Sequence, residues 1–78
     1  MTLTAPTRLA APVVDIVIPV YNEQAVLAQS VTTLQQYLRR HFPFSWRITI
    51  ADNASTDATW AAAGVLAATL DGVRAIHL

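Results

Sequence analysis

The chain alternates between two hydrophobic rhythms. Residues 13 to 20, VVDIVIPV, are dense in valine and isoleucine, the composition of a strand covered on both faces in a parallel sheet. From Val26 to Leu38 the rhythm changes. Leu27, Val31, Leu34 and Leu38 recur at spacings of four, three and four, which is one face of an amphipathic helix. Arg39, Arg40 and His41 fall in its last turn, where positive charge complements the helix dipole, and Pro43 prevents continuation. Residues 46 to 51, WRITIA, alternate β-branched side chains as a second strand does. After the polar stretch DNASTDAT at 52 to 59, WAAAGVLAATL predicts a second helix with Trp60, Ala63, Ala67 and Leu70 on one stripe and Gly72 as its stop. VRAIHL closes the series as a third strand. Strand, helix, strand, helix, strand is the signature of right-handed βαβ crossovers on a parallel sheet, so the fold class is α/β and Rossmann-like.

That order decides where polar groups matter. Ligands of an open parallel sheet sit outside the carboxyl ends of its strands, and both polar clusters, PVYNE after the first strand and ADNASTD after the second, fall at that edge. Tyr21, Glu23, Asp52 and Asn53 are thereby expected to reach one cleft. Each has a plainer reading. Asn22 can be a helix N-cap with Glu23 as a first-turn acid, Ser55 or Thr56 can cap the second helix with Asp57 in its first turn, and Tyr21 can be a half-buried loop aromatic. Asp52, directly after a strand and followed by Asn53, has no evident cap to make. His77 reads as packing or surface, Trp46 and Trp60 as core or rim, and His41 has no neighbour at metal-ligand spacing.

Composition narrows the class of function. Seventy-eight residues with 54% hydrophobic side chains suffice for one small core. Five arginines balance five acids, and the only basic cluster is the pair Arg39 and Arg40, so nucleic acid is an unsuitable partner. Cysteine is absent, which excludes disulfides and cysteine-ligated zinc and fits a cytoplasmic protein. Residues 1 to 12, with two prolines and no signal-peptide apolar run, read as a flexible leader. No segment approaches the roughly 20 apolar residues of a membrane span, which places any membrane association in regions outside this chain.

The pair of stretches VDIVIPVYNE and ITIADNASTDAT resembles the opening of family 2 glycosyltransferases, where a strand ending in PxYNE precedes a second strand ending in VDDGSTDGT. The likeness runs from about Val13 to Leu78 and includes the intervening helix. PVYNE looks most like the polyprenyl-phosphate branch, similar to dolichyl-phosphate mannose synthase. The resemblance implies a GT-A fold and a transfer of sugar from a nucleoside diphosphate sugar to an acceptor such as a polyprenyl phosphate, with inversion, at the cytoplasmic face of a membrane. It matches Pro19, Tyr21, Glu23, Asp52 and Asn53 to nucleotide-sugar-binding positions. Pro19 would let the chain leave the sheet, the Tyr21 face would pack on a base, and Glu23 and Asp52 would accept from base or ribose donors.

The departures are Asn53, where the family usually has a second acid, and Ala54 and Ala58, where it usually has glycine. An amide carries a donor that a carboxylate lacks, and alanine disfavours a left-handed turn by roughly 1 kcal/mol, so the base preference and the loop shape are open. The resemblance also implies a divalent metal, Mg2+ or Mn2+, on a DxD-type motif, and a carboxylate base, neither of which has a counterpart here. Residues 13 to 78 therefore read as the amino-terminal nucleotide-binding part of a longer glycosyltransferase domain. A non-catalytic nucleotide-binding or regulatory module is the alternative. Another Rossmann-like enzyme is a second, though no GxGxxG or P-loop pattern follows either strand.

Overall fold

A computed structural model describes residues 14 to 78; the leader reading of residues 1 to 12 falls outside them. Three strands, β1 (Val14–Val20), β2 (Trp46–Asp52) and β3 (Val73–His77), alternate with two helices, α1 (Leu27–His41) and α2 (Thr59–Thr69). All pairing is parallel, in the order β1-β2-β3. Because both crossovers step in the same direction, right-handedness puts both helices on one face of the sheet, and α1 and α2 pack on each other there. This is the α/β, Rossmann-like architecture that the rhythm of the sequence predicts.

Even-numbered positions of β1 and β2 and odd-numbered positions of β3 supply the core. Ile48 and Ile50 are fully buried in the middle strand, flanked by Val20 on β1 and Val73 on β3 and roofed by Leu27, Val31 and Leu38 of α1 and by Ala63 and Leu66 of α2. Trp46, 1% exposed, fills the core at the start of β2. Burying side chains of this size contributes about 1.5 to 3 kcal/mol each, which is how a short amphipathic helix such as α1 is held. Gln35, buried on the same face of α1, donates its amide to the Asp71 carbonyl at 3.3 Å. In α2 the buried line is Thr59, Ala63 and Leu66. Trp60 lies beside that line, 37% exposed, and not in the buried stripe the spacing suggested.

The second face of the sheet differs from the expectation of cover on both sides. Asp15, Val17 and Pro19 alternate outward from β1 and are exposed, because both helices occupy the other face. Here charge takes the place of a helix layer. Asp15 accepts from Arg47 at 2.8 and 3.2 Å and from the Thr49 hydroxyl at 2.7 Å, and Arg74 donates to that hydroxyl at 2.9 Å. The Arg47 hydrogen bond, helped by Thr49 and by the charges of Arg47 and Arg74, holds the Asp15 carboxyl below its ordinary range against the opposing effect of partial burial. Among the described residues Pro19 sits on one of the two outer strands. Val14 N–H bonds the Ser45 carbonyl at 3.2 Å, and successive N–H groups alternate sides, so the N–H that proline lacks would have pointed away from β2.

Both helices begin later than side-chain capping predicts. Neither Val26 nor Ala58, the cap positions, makes a side-chain cap bond, and neither first turn contains an acid. Asn22, Ser55, Thr56 and Asp57 all precede the helices and are used otherwise. Helix ends follow the sequence more closely: Arg39, Arg40 and His41 occupy the last turn of α1. Gly72, at φ 78°, turns the chain into β3, and its carbonyl accepts from Ile48 N–H at 2.8 Å.

Candidate functional site

The polar residues after β1 and β2 form a single hydrogen-bonded unit at the carboxyl edge of the sheet. It begins with the strands themselves, since Asn53 N–H extends the β1–β2 ladder by bonding the Val20 carbonyl at 2.9 Å. Beyond that point the two loops exchange side-chain and backbone groups. Asn22 N–H donates to Ser55 Oγ at 2.9 Å, and Glu23 N–H donates to Thr59 Oγ1 at 2.8 Å. In return Asn22 Oδ1 accepts from Thr56 N–H at 2.8 Å and Asp57 N–H at 3.3 Å, and Gln24 Oε1 accepts from Ala58 N–H at 3.0 Å. Asn22 thus caps the approach to α2 across the sheet edge, where the local reading had it capping α1.

This arrangement requires two left-handed residues, and both are present. Asn22 has φ 51° and Ala54 φ 54°. Asparagine tolerates that region; alanine pays for it in steric strain. The loop after β2 therefore keeps the turn that glycine would favour, although the residue there is alanine. Asp57 closes the unit from the helix side. Its Oδ1 accepts from Thr59 N–H at 2.9 Å and from the Thr59 hydroxyl, and these bonds hold the Asp57 carboxyl below its ordinary range.

Asp52 occupies the centre, and it is wholly buried. Its Oδ2 accepts from Ser55 N–H at 3.3 Å and its Oδ1 from the Ser55 hydroxyl, so this acid does organise a turn of its own. From β3, its register partner His77 brings Nε2 to 3.3 Å from Oδ2, and the His77 ring stacks on Trp60 at a centroid separation of 4.5 Å. The neighbouring candidates are outside: Tyr21 is 54% exposed, and Glu23 and Asn53 are exposed with their backbone N–H groups engaged in the unit. Pro19 is exposed on the sheet face that the helices leave open. Tyr21, Glu23 and Asn53 are the candidates with side chains free to meet a ligand, and Asp52 meets other residues of the chain.

Sequence reasoning missed Ser55 as a connector and His77 as a neighbour of Asp52. The first was legible in principle, because Asp followed three positions later by Ser is the spacing at which a carboxylate receives a backbone N–H. The second depends on the β2–β3 register, which no local pattern states. Elsewhere, a cleft of about 300 Å³ is lined by Gln36, Arg39 and Arg40, and one of about 380 Å³ includes Arg47 and Arg74. Both lie toward the amino edge of the sheet, away from the unit. Among the described residues no group of three or more His, Asp or Glu side chains could hold a metal ion, and no helix is long and apolar enough to cross a membrane.

An open parallel sheet whose first two loops are joined at the carboxyl edge has the form of a Rossmann-like half-domain. The model of glycosyl transferase family 2 matches residues 15 to 78, and the chain belongs to that family. No curated protein and no solved structure matches the chain.

Proposed function

We propose that this chain supplies the nucleoside-binding part of a glycosyltransferase that moves a sugar from a nucleoside diphosphate sugar to a polyprenyl phosphate with inversion, in the manner of the dolichyl-phosphate mannose synthase branch. Family membership brings a nucleotide-sugar donor and an acceptor in general; the lipid acceptor rests on the PVYNE wording alone. The observation that supports the proposal is the joined pair of loops at the carboxyl edge, in which Tyr21, Glu23 and Asn53 are exposed. The tyrosine face suits a base. The Glu23 carboxylate suits ribose hydroxyls or a base N–H, and the Asn53 amide offers both a donor and an acceptor. Asp52 belongs to this site by folding the second loop; Pro19 stays paired within β1, where the N–H it lacks points away from β2 and the ladder continues through Val20.

The Mg2+ or Mn2+ implied by the resemblance has no ligand set among the described residues. What these residues do is bind and orient the nucleoside end of the donor. The test is transfer of radiolabelled sugar from a panel of UDP- and GDP-sugars to polyprenyl phosphate by the full-length protein. Label in the organic phase with one donor is the expected result, reduced by Tyr21→Ala, since loss of a base–aromatic stack costs about 1 to 3 kcal/mol. Label passing only to a water-soluble acceptor would overturn the lipid assignment, and no transfer from any donor would overturn the enzyme reading.

A further inference from the structure

The carboxyl edge contains one connection that the nucleoside reading does not use. The Ser55 hydroxyl stands between two elements: it donates its single proton to Asp52 Oδ1 and accepts the Asn22 N–H at 2.9 Å. A hydroxyl has one donor and two acceptor positions, so both halves of this relay are met at once. On one side is a carboxylate with no exposed surface, anchored in the middle strand, bonded by Ser55 N–H and approached by His77 from β3. On the other is the backbone of the loop that holds Tyr21 and Glu23. The left-handed Asn22 lies between those two residues, so a change in its N–H direction turns both.

We propose that Ser55 is a positioning residue for nucleoside binding: its hydroxyl transmits the placement of the buried Asp52 carboxylate to the β1–α1 loop and thereby sets where Tyr21 and Glu23 stand. Ser55 itself touches no ligand. Its role follows from geometry, because the Ser55 hydroxyl bonds the Asp52 carboxylate on one side and the Asn22 N–H of the β1 loop on the other. A hydrogen bond to a charged acceptor is stronger than one between neutral groups, and one charged partner also polarises the next bond in a chain. The Asn22 bond therefore draws on the Asp52 charge. The inference rests on the nucleoside reading above for its ligand, but not for its internal connection.

The experiment uses the full-length protein with UDP and GDP as probes, in wild type, Ser55→Ala and Ser55→Thr, the last retaining a hydroxyl. Amide hydrogen exchange at Asn22 without ligand reads the relay; calorimetric titration of the nucleotides reads its consequence. In Ser55→Ala, Asn22 exchange should accelerate about tenfold or more and nucleotide affinity should fall about tenfold, with Ser55→Thr restoring both to within about threefold. A Val73→Ala core variant should lose stability and keep its affinity, which separates positioning from general weakening. Should Ser55→Ala not fold, Ser55→Cys, similar in volume and a weaker donor, is read in the same way. Wild-type Asn22 exchange in Ser55→Ala, or undiminished affinity, would overturn the proposal while leaving the nucleoside reading intact. Failure of wild type to bind either nucleotide, with Asn22 exchange still dependent on Ser55, would overturn the nucleoside reading and reduce Ser55 to a structural tie.

Discussion

Replacing Ala54 by glycine should stabilise this protein, which is the reverse of what removing a methyl group from an ordered residue usually does. Ala54 is exposed and has φ 54°. An L-residue with a Cβ is disfavoured there by roughly 1 to 2 kcal/mol, and glycine is not. The gain is offset by the freer unfolded chain that glycine brings, about 0.4 to 1 kcal/mol. The net expectation is about 0.5 to 1 kcal/mol of added stability. For a domain of this size 1 kcal/mol moves the melting temperature by about 4 to 8 °C, so Ala54→Gly should raise it by roughly 2 to 8 °C. The companion variant is Gly64→Ala in the interior of α2, where an added Cβ meets nothing within 4 Å. Helix propensity favours alanine there by about 0.5 to 1 kcal/mol. Opposite exchanges should thus both stabilise, and being in separate elements they should add. Thermal melts followed by circular dichroism decide the matter. If Ala54→Gly melts at or below the wild-type temperature, the left-handed strain assigned to this loop is absent.

Three further outcomes follow from the same contacts. Asn22→Gly keeps a backbone suited to φ 51° but removes the acceptor for Thr56 and Asp57 N–H, at a cost of about 1 kcal/mol, and Asn22→Ala should cost about 1 kcal/mol more; equal urea midpoints for the two would remove the backbone part of the argument. The Asp15 carboxyl, depressed chiefly by Arg47, stabilises the fold above the unfolded-state value of about 3.9 and loses that contribution as pH falls through its lower folded value. The pair is partly exposed, so the stability difference between wild type and Asp15→Asn should be at most about 1 kcal/mol at neutral pH and should shrink below about pH 4; a difference that grows with acid would contradict the Arg47 pairing. Trp46→Ala empties a fully enclosed site in the core and should cost about 3 to 5 kcal/mol, enough to make the protein sensitive to limited proteolysis under conditions where wild type survives.

The order and type of all five elements were legible because each has its own hydrophobic period, and α1 in particular placed Leu27, Val31 and Leu38 where the core needed them. What local patterns could not supply was the sidedness of the sheet. The valines and isoleucines of β1 read as doubly covered, yet Val17 is 56% exposed, because strand order determines which face the helices take. The candidate site divided along the same line. That the loops after β1 and β2 meet was legible from topology. That Asp52 faces inward while Asn53 lies outside depends on strand parity carried to the last residue of β2, where a single position exchanges an exposed group for a buried one. Asn22 was misassigned as a local cap because its partners, Thr56 and Asp57, are more than thirty residues away.

The central claim is that a nucleoside binds at the joined loops of the carboxyl edge, and nitrogen–proton correlation spectra recorded during titration with nucleoside diphosphates test it most directly. The account predicts saturable shifts at the backbone amides of Tyr21, Glu23 and Asn53, with Ser55 and Thr56 following through the bonds that join the loops. Shifts centred instead on Gln36 to Arg40 or on Arg47 and Arg74, at the opposite edge, would contradict it.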